Sequence, residues 1–246
     1  MDAKPRLTRP AFGCACCSGA MNGGGHSRRA VLRSGFGVIA ATAAGSTGAP
    51  RPAAAQTTLS PDAALQTLVD GNRRFYEHRL TSFDEDLAIL KERTAEKQEP
   101  YAGILSCADS RVPVELIFDQ TIGHLFVTRV AGNTAGSTVT ASLEYGAAVL
   151  GTKVILVLGH ANCGAVKAAM YNKPVPGQIS RLFAALQPAV TEAHGDLTEA
   201  IKANARIQAR LLATSSPVLA GLIKSGNLKI AAGYYALDTG IVTILG

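Results

Sequence analysis

The chain has 246 residues and carries 24 Lys and Arg residues against 18 Asp and Glu residues, a formal net charge of +6. Residues 1–55 hold seven of the basic residues and one acidic residue, so the remainder has 17 of each and is formally neutral. The basic charge therefore belongs to the N-terminal segment and gives no argument for nucleic-acid binding, while residues 59–246 have one domain's length.

The N-terminal segment has the order of an export signal. The twin arginine Arg28-Arg29 precedes an apolar stretch rich in glycine and alanine, 34–49, and an A-x-A-like cleavage site ending at Ala55. A twin arginine indicates the twin-arginine translocation route of bacteria. We therefore expect residues 1–55 to be a cleaved signal peptide and residues 56–246 to be a periplasmic domain. The alternative is a membrane anchor, but the stretch is too short and too weakly apolar, so we expect no stable membrane insertion.

Three of the five cysteines, Cys14, Cys16 and Cys17, precede the twin arginine. We expect them to leave with the signal peptide, and no role is assigned to them. The mature chain then keeps Cys107 and Cys163 alone.

Helices and strands alternate along the mature chain. Ser60-Pro61-Asp62 predicts a helix start, and Gly71-Asn72 predicts a bend or interruption of that helix. Further helices are predicted at 84–96, 138–150, from 164 onward, 178–186, 197–214 and 217–224, and strands at 102–106, 126–130, 153–158, 228–235 and 241–245. This order predicts an α/β/α sandwich around a mainly parallel β-sheet. A turn is predicted at 236–240, so the last strand should pair with the strand 228–235 as an antiparallel edge strand.

Polar residues follow two of these strands. The segment 106–111 reads S-C-A-D-S-R and the segment 159–164 reads G-H-A-N-C-G, each after an apolar run of strand length. Ligands of such sheets bind at the carboxyl ends of the strands. Two thiolates and an imidazole, from Cys107, His160 and Cys163, suit Zn²⁺, and three protein ligands leave the fourth position open for catalysis. The alternatives are ordinary buried thiols or, in an oxidising periplasm, a disulfide.

The pattern C-x-D-x-R at Cys107, followed by H-x-x-C at His160, resembles the signature of the β-class carbonic anhydrases. Further stretches resemble the same family: L-V-D-G-N-R-R-F at 68–75, F-V-T-R-V-A-G-N at 126–133 and S-L-E-Y-G at 142–146. The resemblance extends from about residue 59 to the C-terminus. It implies a lyase that hydrates CO₂ reversibly to bicarbonate and a proton, with one Zn²⁺ per subunit.

The resemblance also implies roles for individual residues. Zinc on Cys107, His160 and Cys163 would supply a hydroxide, and Arg111 would hold the carboxylate of Asp109 so that Asp109 orients this hydroxide. Some family members have an inactive form in which this aspartate becomes the fourth metal ligand, so Asp109 is also a conditional metal ligand. The alternative for Asp109 and Arg111 is a surface ion pair of little energetic value.

A substrate pocket is implied with four further residues. The Gln98 side-chain amide and the Gly164 backbone N–H would bind substrate, and Phe126 and Tyr145 would line the pocket of a neighbouring subunit. The alternative places Phe126 in the core beside its strand and Tyr145 on an ordinary helix face.

Two alternative functions fit the same residues. Hydrolysis of CS₂ or COS would keep every ligand, and an inactive exported zinc-binding protein would need neither Asp109 nor Arg111.

We expect a homodimer or higher homo-oligomer. The helix from Ser60 precedes the first strand and has no obvious place on one doubly covered sheet, whereas the resemblance places such helices on a partner.

Overall fold

The computed structural model describes residues 57–82, 87–172 and 174–246, so the predicted signal peptide and the first residues of the predicted helix at 84–96 lie outside the described residues. The α-helices are α1 Pro61–Tyr76, α2 Leu87–Thr94, α3 Val114–Ile117, α4 Ser137–Ala148, α5 Gly164–Tyr171, α6 Ser180–Glu192, α7 Leu197–Ser215 and α8 Pro217–Lys224. The strands are β1 Ala102–Ser106, β2 Leu125–Arg129, β3 Val154–His160, β4 Lys229–Tyr235 and β5 Val242–Leu245.

These strands form one sheet in the order β2-β1-β3-β4-β5. The pairs β1–β2, β1–β3 and β3–β4 are parallel, and β4–β5 is antiparallel. The predicted α/β fold with an antiparallel edge strand is confirmed. Ser106 at the end of β1 lies opposite Leu158 of β3, so the chain leaves both central strands at the same edge of the sheet.

Helices cover both faces of the sheet, and every residue of β1 and β3 is buried as a result. Ile104, Leu156 and Leu158 pack on one face against α1 and α3. On the other face the core consists of strand residues and residues from α4, α7 and α8, among them Leu105, Ile155, Val157, Leu143, Leu212 and Leu219. The site-bearing edge is thus fixed by a core on each side.

Helix α1 runs unbroken through Gly71 and Asn72, so the predicted interruption is wrong. Glycine is needed there for a close approach, since a Cβ on Gly71 would lie 1.9 Å from the Phe118 carbonyl oxygen. The Asn72 side chain donates to the carbonyls of Ile117 and Gly240 and accepts from the Val242 N–H. The pair therefore docks α1 on α3 and on the start of β5.

Helix α1 also belongs to the core of its own subunit. Ala64 and Leu68 are fully buried in the same cluster as Ile104 and Leu156. The expectation that this helix has no place on the sheet was wrong, because its buried face covers β3. The helix by itself therefore gives no argument for a partner subunit.

Other differences from the predicted elements are smaller. The short helix α3 was not predicted, and β3 extends two residues further, to His160. Helix α6 continues through Pro188 to Glu192, because the burial of Leu186 and Ala189 outweighs the missing N–H of proline. Within the described ranges no helix has the length and apolar character that crossing a membrane requires.

Candidate metal centre

Two central strands and one helix bring three potential metal ligands together. Cys107 follows β1, His160 is the last residue of β3, and Cys163 directly precedes α5. All three are buried, with at most 5% of any residue exposed. The two sulfur atoms and a ring nitrogen of His160 all lie within 4.8 Å of one another. This is the trio that the sequence motifs predicted, assembled by the parallel register of β1 and β3.

The imidazole of His160 is oriented by its own backbone turn. Its Nδ1 lies 2.9 Å from the Ala161 carbonyl oxygen, so Nδ1–H donates there and Nε2 carries the lone pair. Nε2 is buried and has no hydrogen-bond partner among the described residues. A histidine held through one nitrogen with a buried, unpaired second nitrogen is typical of a metal ligand. The residues present therefore fit a zinc ion.

The two thiols have opposite pKa shifts. A hydrogen bond from Cys163 lowers the pKa of Cys107, against the opposing effect of burial, and the Gly132 N–H lowers it further. The same bond, together with burial, raises the pKa of Cys163. Both sulfurs are soft donors, and such donors favour Zn²⁺.

Asp109 and Arg111 form the predicted pair beside the trio. Arg111 donates from its backbone N–H and from Nε to Oδ1 of Asp109, at 3.0 and 2.9 Å, and from Nη2 to Oδ2 at 2.8 Å. These bonds hold the pKa of Asp109 well below its usual range. Oδ2 lies 3.8 Å from Nε2 of His160. An ionised, fixed carboxylate thus borders the cluster, although it is not one of the three clustered ligands.

Two residues that sequence reasoning assigned no role also contact this site. Arg129, at the end of β2, donates to the carbonyl oxygens of Cys107 at 3.0 Å and of Asp109 at 2.6 Å. The Gly132 N–H donates to the sulfur of Cys107 at 3.4 Å. Both lie in the stretch 126–133, and no local sequence pattern marks their partners, which the register of β1 with β2 brings beside them.

The predicted substrate residues lie apart from one another. Gln98 and Tyr145 line a depression of about 550 Å³ whose lining includes none of the three clustered ligands. The half-buried Phe126 packs beside Tyr145, with ring centroids 6.2 Å apart. Gly164 is exposed directly after Cys163, at the first residue of α5. Within one subunit, therefore, Gly164 adjoins the trio, while Gln98 and Tyr145 share a second surface with Phe126 beside it.

Known proteins similar to this chain share its site-bearing region. A family model described as carbonic anhydrase matches residues 102–242. Carbonic anhydrase 2 of Mycobacterium tuberculosis is 35% identical over 193 residues, which cover 74% of this chain and 91% of the relative. A carbonic anhydrase of Pseudomonas aeruginosa is 30% identical over 198 residues, covering 74% of this chain and 87% of the relative.

Solved structures with the same fold include two β-carbonic anhydrases. The Coccomyxa enzyme in complex with acetazolamide is 26% identical, with a TM-score of 0.60, over 74% of this chain and 86% of that one. The β-carbonic anhydrase CcaA is 25% identical, with a TM-score of 0.60, over 73% of this chain and 86% of that one.

Proposed function

The chain belongs to the β-carbonic anhydrase family, and we propose that it hydrates CO₂ reversibly with one zinc ion held by Cys107, His160 and Cys163. Its carbonic anhydrase activity follows from the match over residues 102–242 and from relatives aligned along most of their length. The observation that carries the metal assignment is the buried, unpaired Nε2 of His160 beside two thiols.

The donor set favours zinc over harder cations. Two sulfurs and one nitrogen are the ligands that Zn²⁺ prefers, whereas Mg²⁺ and Ca²⁺ prefer oxygen. When bound, zinc lowers the pKa of a coordinated water toward neutrality, so that hydroxide is available as a nucleophile. The protein's own part is to hold three ligands in a buried site. The burial of Cys107, His160 and Cys163 supports that part.

Asp109 is proposed to orient the attacking hydroxide. Because its pKa is depressed, the carboxylate is ionised at neutral pH and can only accept hydrogen bonds. Oδ1 accepts two bonds from Arg111 and Oδ2 accepts one, so Oδ2 retains a lone pair on the oxygen nearest His160. A hydroxide that donates a hydrogen bond to Oδ2 would keep its proton and have its oxygen lone pairs directed elsewhere, toward CO₂. Arg111 keeps the carboxylate in this position and charge state.

Replacing Asp109 by asparagine tests this role. The Asp109→Asn variant should retain zinc, because its three proposed ligands are intact. Its rate of CO₂ hydration should fall by about a hundredfold or more. Stopped-flow hydration on protein of measured zinc content gives both quantities. Asp62→Asn, the same change at a side chain of α1 that is 83% exposed, serves as the control and should be fully active. Turnover like the wild type in Asp109→Asn at full zinc occupancy would exclude the proposed role.

The proposal includes a homodimer formed through the surface of α4. Tyr145 and Val149 lie one helical turn apart and are 48% and 47% exposed, and Phe126 packs beside Tyr145. Large apolar side chains exposed together favour an interface. Tyr145→Asp should therefore yield a monomer, as measured by light scattering at assay concentration. This monomer should have normal zinc content and reduced activity. A monodisperse, fully active wild-type monomer would contradict the dimer.

Export by the twin-arginine route completes the proposal. The twin arginine before an apolar stretch, with a cleavage site at Ala55, supports it. We expect the mature chain in a bacterial periplasm to begin at Gln56. Replacing Arg28 and Arg29 by lysine should leave the precursor in the cytoplasm. Unchanged export of that variant would contradict the route.

A further inference from the structure

Two buried amides on α7 hold the loop that follows β2. Asn204 is fully buried and donates from Nδ2 to the Gly132 carbonyl oxygen at 2.8 Å. Gln208, one turn later and also buried, accepts the Ala135 N–H at 2.9 Å. Nε2 of Gln208 donates to Oδ1 of Asn204 at 3.1 Å. One face of α7 therefore ties down both ends of the segment 132–135.

The end held by Asn204 is the end that contacts the metal centre. The Gly132 N–H donates to the sulfur of Cys107 at 3.4 Å. Gly132 has φ +74°, and a Cβ there would lie 3.2 Å from Leu186 and 3.3 Å from Ala165. The residue is thus confined to a left-handed conformation in a narrow space between α5 and α6. Its carbonyl bond to Asn204 fixes the peptide plane that follows Gly132, and the confined φ of Gly132 passes this restraint to the preceding plane, which carries the N–H.

Stability explains these two amides in part. Their partners are backbone groups that remain when the side chain is replaced, so losing either amide leaves the Gly132 carbonyl or the Ala135 N–H unpaired. What a leucine at the position of Asn204 could not supply is a directed bond to the Gly132 carbonyl. The amides therefore supply orientation, and the atom they orient is the donor to the Cys107 sulfur.

We propose that Asn204 is a positioning residue for the metal ligand Cys107, with Gln208 holding Asn204 in place. The inference rests on the proposed function, because it treats Cys107 as a zinc ligand. An N–H bond to a thiolate restricts the direction of its lone pairs, which favours binding of a metal at a fixed position. The same bond lowers the energy of the sulfur electrons, an effect that appears in the spectrum of a bound metal. Losing such an outer-shell partner typically costs tenfold or more in metal affinity.

The test uses zinc affinity and the spectrum of the protein loaded with cobalt(II). Asn204→Leu should bind zinc about tenfold or more weakly in competition with a chromogenic chelator. Its sulfur-to-cobalt charge-transfer band should move to longer wavelength, since a thiolate without its N–H bond is more easily oxidised. Leu212→Ala, one turn beyond Gln208 in the buried core, is the control. It should lower the melting temperature while leaving both the affinity and the band as in the wild type.

The outcomes separate the inference from the function on which it rests. If Asn204→Leu has its band at the wild-type wavelength and binds zinc with unchanged affinity, the positioning role is overturned and the metal centre stands. A band that Leu212→Ala moves equally also overturns it, because general destabilisation then explains the shift. Absence of any sulfur-to-cobalt band in the wild type refutes the metal centre itself. If Asn204→Leu does not fold, Gln208→Met is measured instead, with a smaller shift in the same direction expected and no shift contradicting the role.

Discussion

Replacing Gly71 by alanine should destabilise the protein, although the same change usually stabilises a helix. In a helix interior alanine is favoured over glycine by about 1 kcal/mol. Gly71 lies inside α1, where the helix meets the backbone at the end of α3. The alanine Cβ would lie 1.9 Å from the carbonyl oxygen of Phe118 and 2.8 Å from its carbon. A rigid backbone group cannot rotate away, so the helix itself must move.

The size of the effect follows from the separation required. A Cβ is essentially never closer than 3.0 Å to another heavy atom, so α1 must retreat from Phe118 by about 1.1 Å. Such overpacking costs about 1–3 kcal/mol. The same movement would stretch the Asn72 bonds to Ile117 and Gly240, now 3.2 and 2.9 Å, and each unmade buried bond costs about 1–3 kcal/mol. After the helix-propensity gain, we expect a net loss of about 3 kcal/mol.

Urea unfolding followed by circular dichroism, at a fixed zinc concentration, measures this loss. Gly221→Ala in α8 is the matched control, because its Cβ would meet nothing within 4 Å. The control should gain up to about 1 kcal/mol, so one substitution at two helical glycines should give opposite signs. Stabilisation of both variants would refute the argument that the backbone contact at Phe118 explains Gly71.

Three further predictions concern the buried carboxylate of Asp119, the removal of the metal and the side chain of Arg129. Asp119→Asn should cost about 2 kcal/mol, since its fully buried carboxylate accepts bonds from Arg74 and from residues 81 and 82. Burial would raise the pKa of Asp119, but the bonds lower it by more than burial raises it, so its stabilisation is present above about pH 4 and fades below. An identical acid-unfolding curve in the variant would contradict this. Chelation should abolish CO₂ hydration and zinc should restore it, and activity without metal would argue against the centre. Arg129→Met should lower turnover at least tenfold by freeing the carbonyls of Cys107 and Asp109, and unchanged stopped-flow rates would exclude that.

The sequence predicted the central strands and the metal trio because both follow from local pattern. Apolar runs of strand length end where Cys107 and His160 stand, and parallel strands bring such ends to one edge. Arg129 and Asn204 carried no such pattern. Their partners are backbone carbonyls of residues far along the chain, and a carbonyl is present at every residue. Only the register of β1 with β2 and the packing of α7 identify which carbonyls they contact.

Gly71 shows the same limit, because the reason for its missing side chain is also a contact far along the chain. A glycine followed by asparagine inside a helical pattern predicts a break when only local conformation is considered. Here the missing side chain serves a neighbour that lies 47 residues further along, the carbonyl of Phe118. Likewise, the proline of α6 predicts an end only until Leu186 and Ala189 are known to be buried. Tertiary packing decided both cases, and single-sequence reasoning has no access to it.

The attachment of Cys107 and His160 to the ends of β1 and β3 has a kinetic consequence. Those two strands are the most deeply buried in the sheet, so these two ligands cannot separate by the fraying of a surface loop. Metal exchange should then require an opening of the protein's centre. We expect zinc to leave at a rate that approaches that of global unfolding, and the amide protons of β1 and β3 to exchange with solvent no faster than the metal is lost.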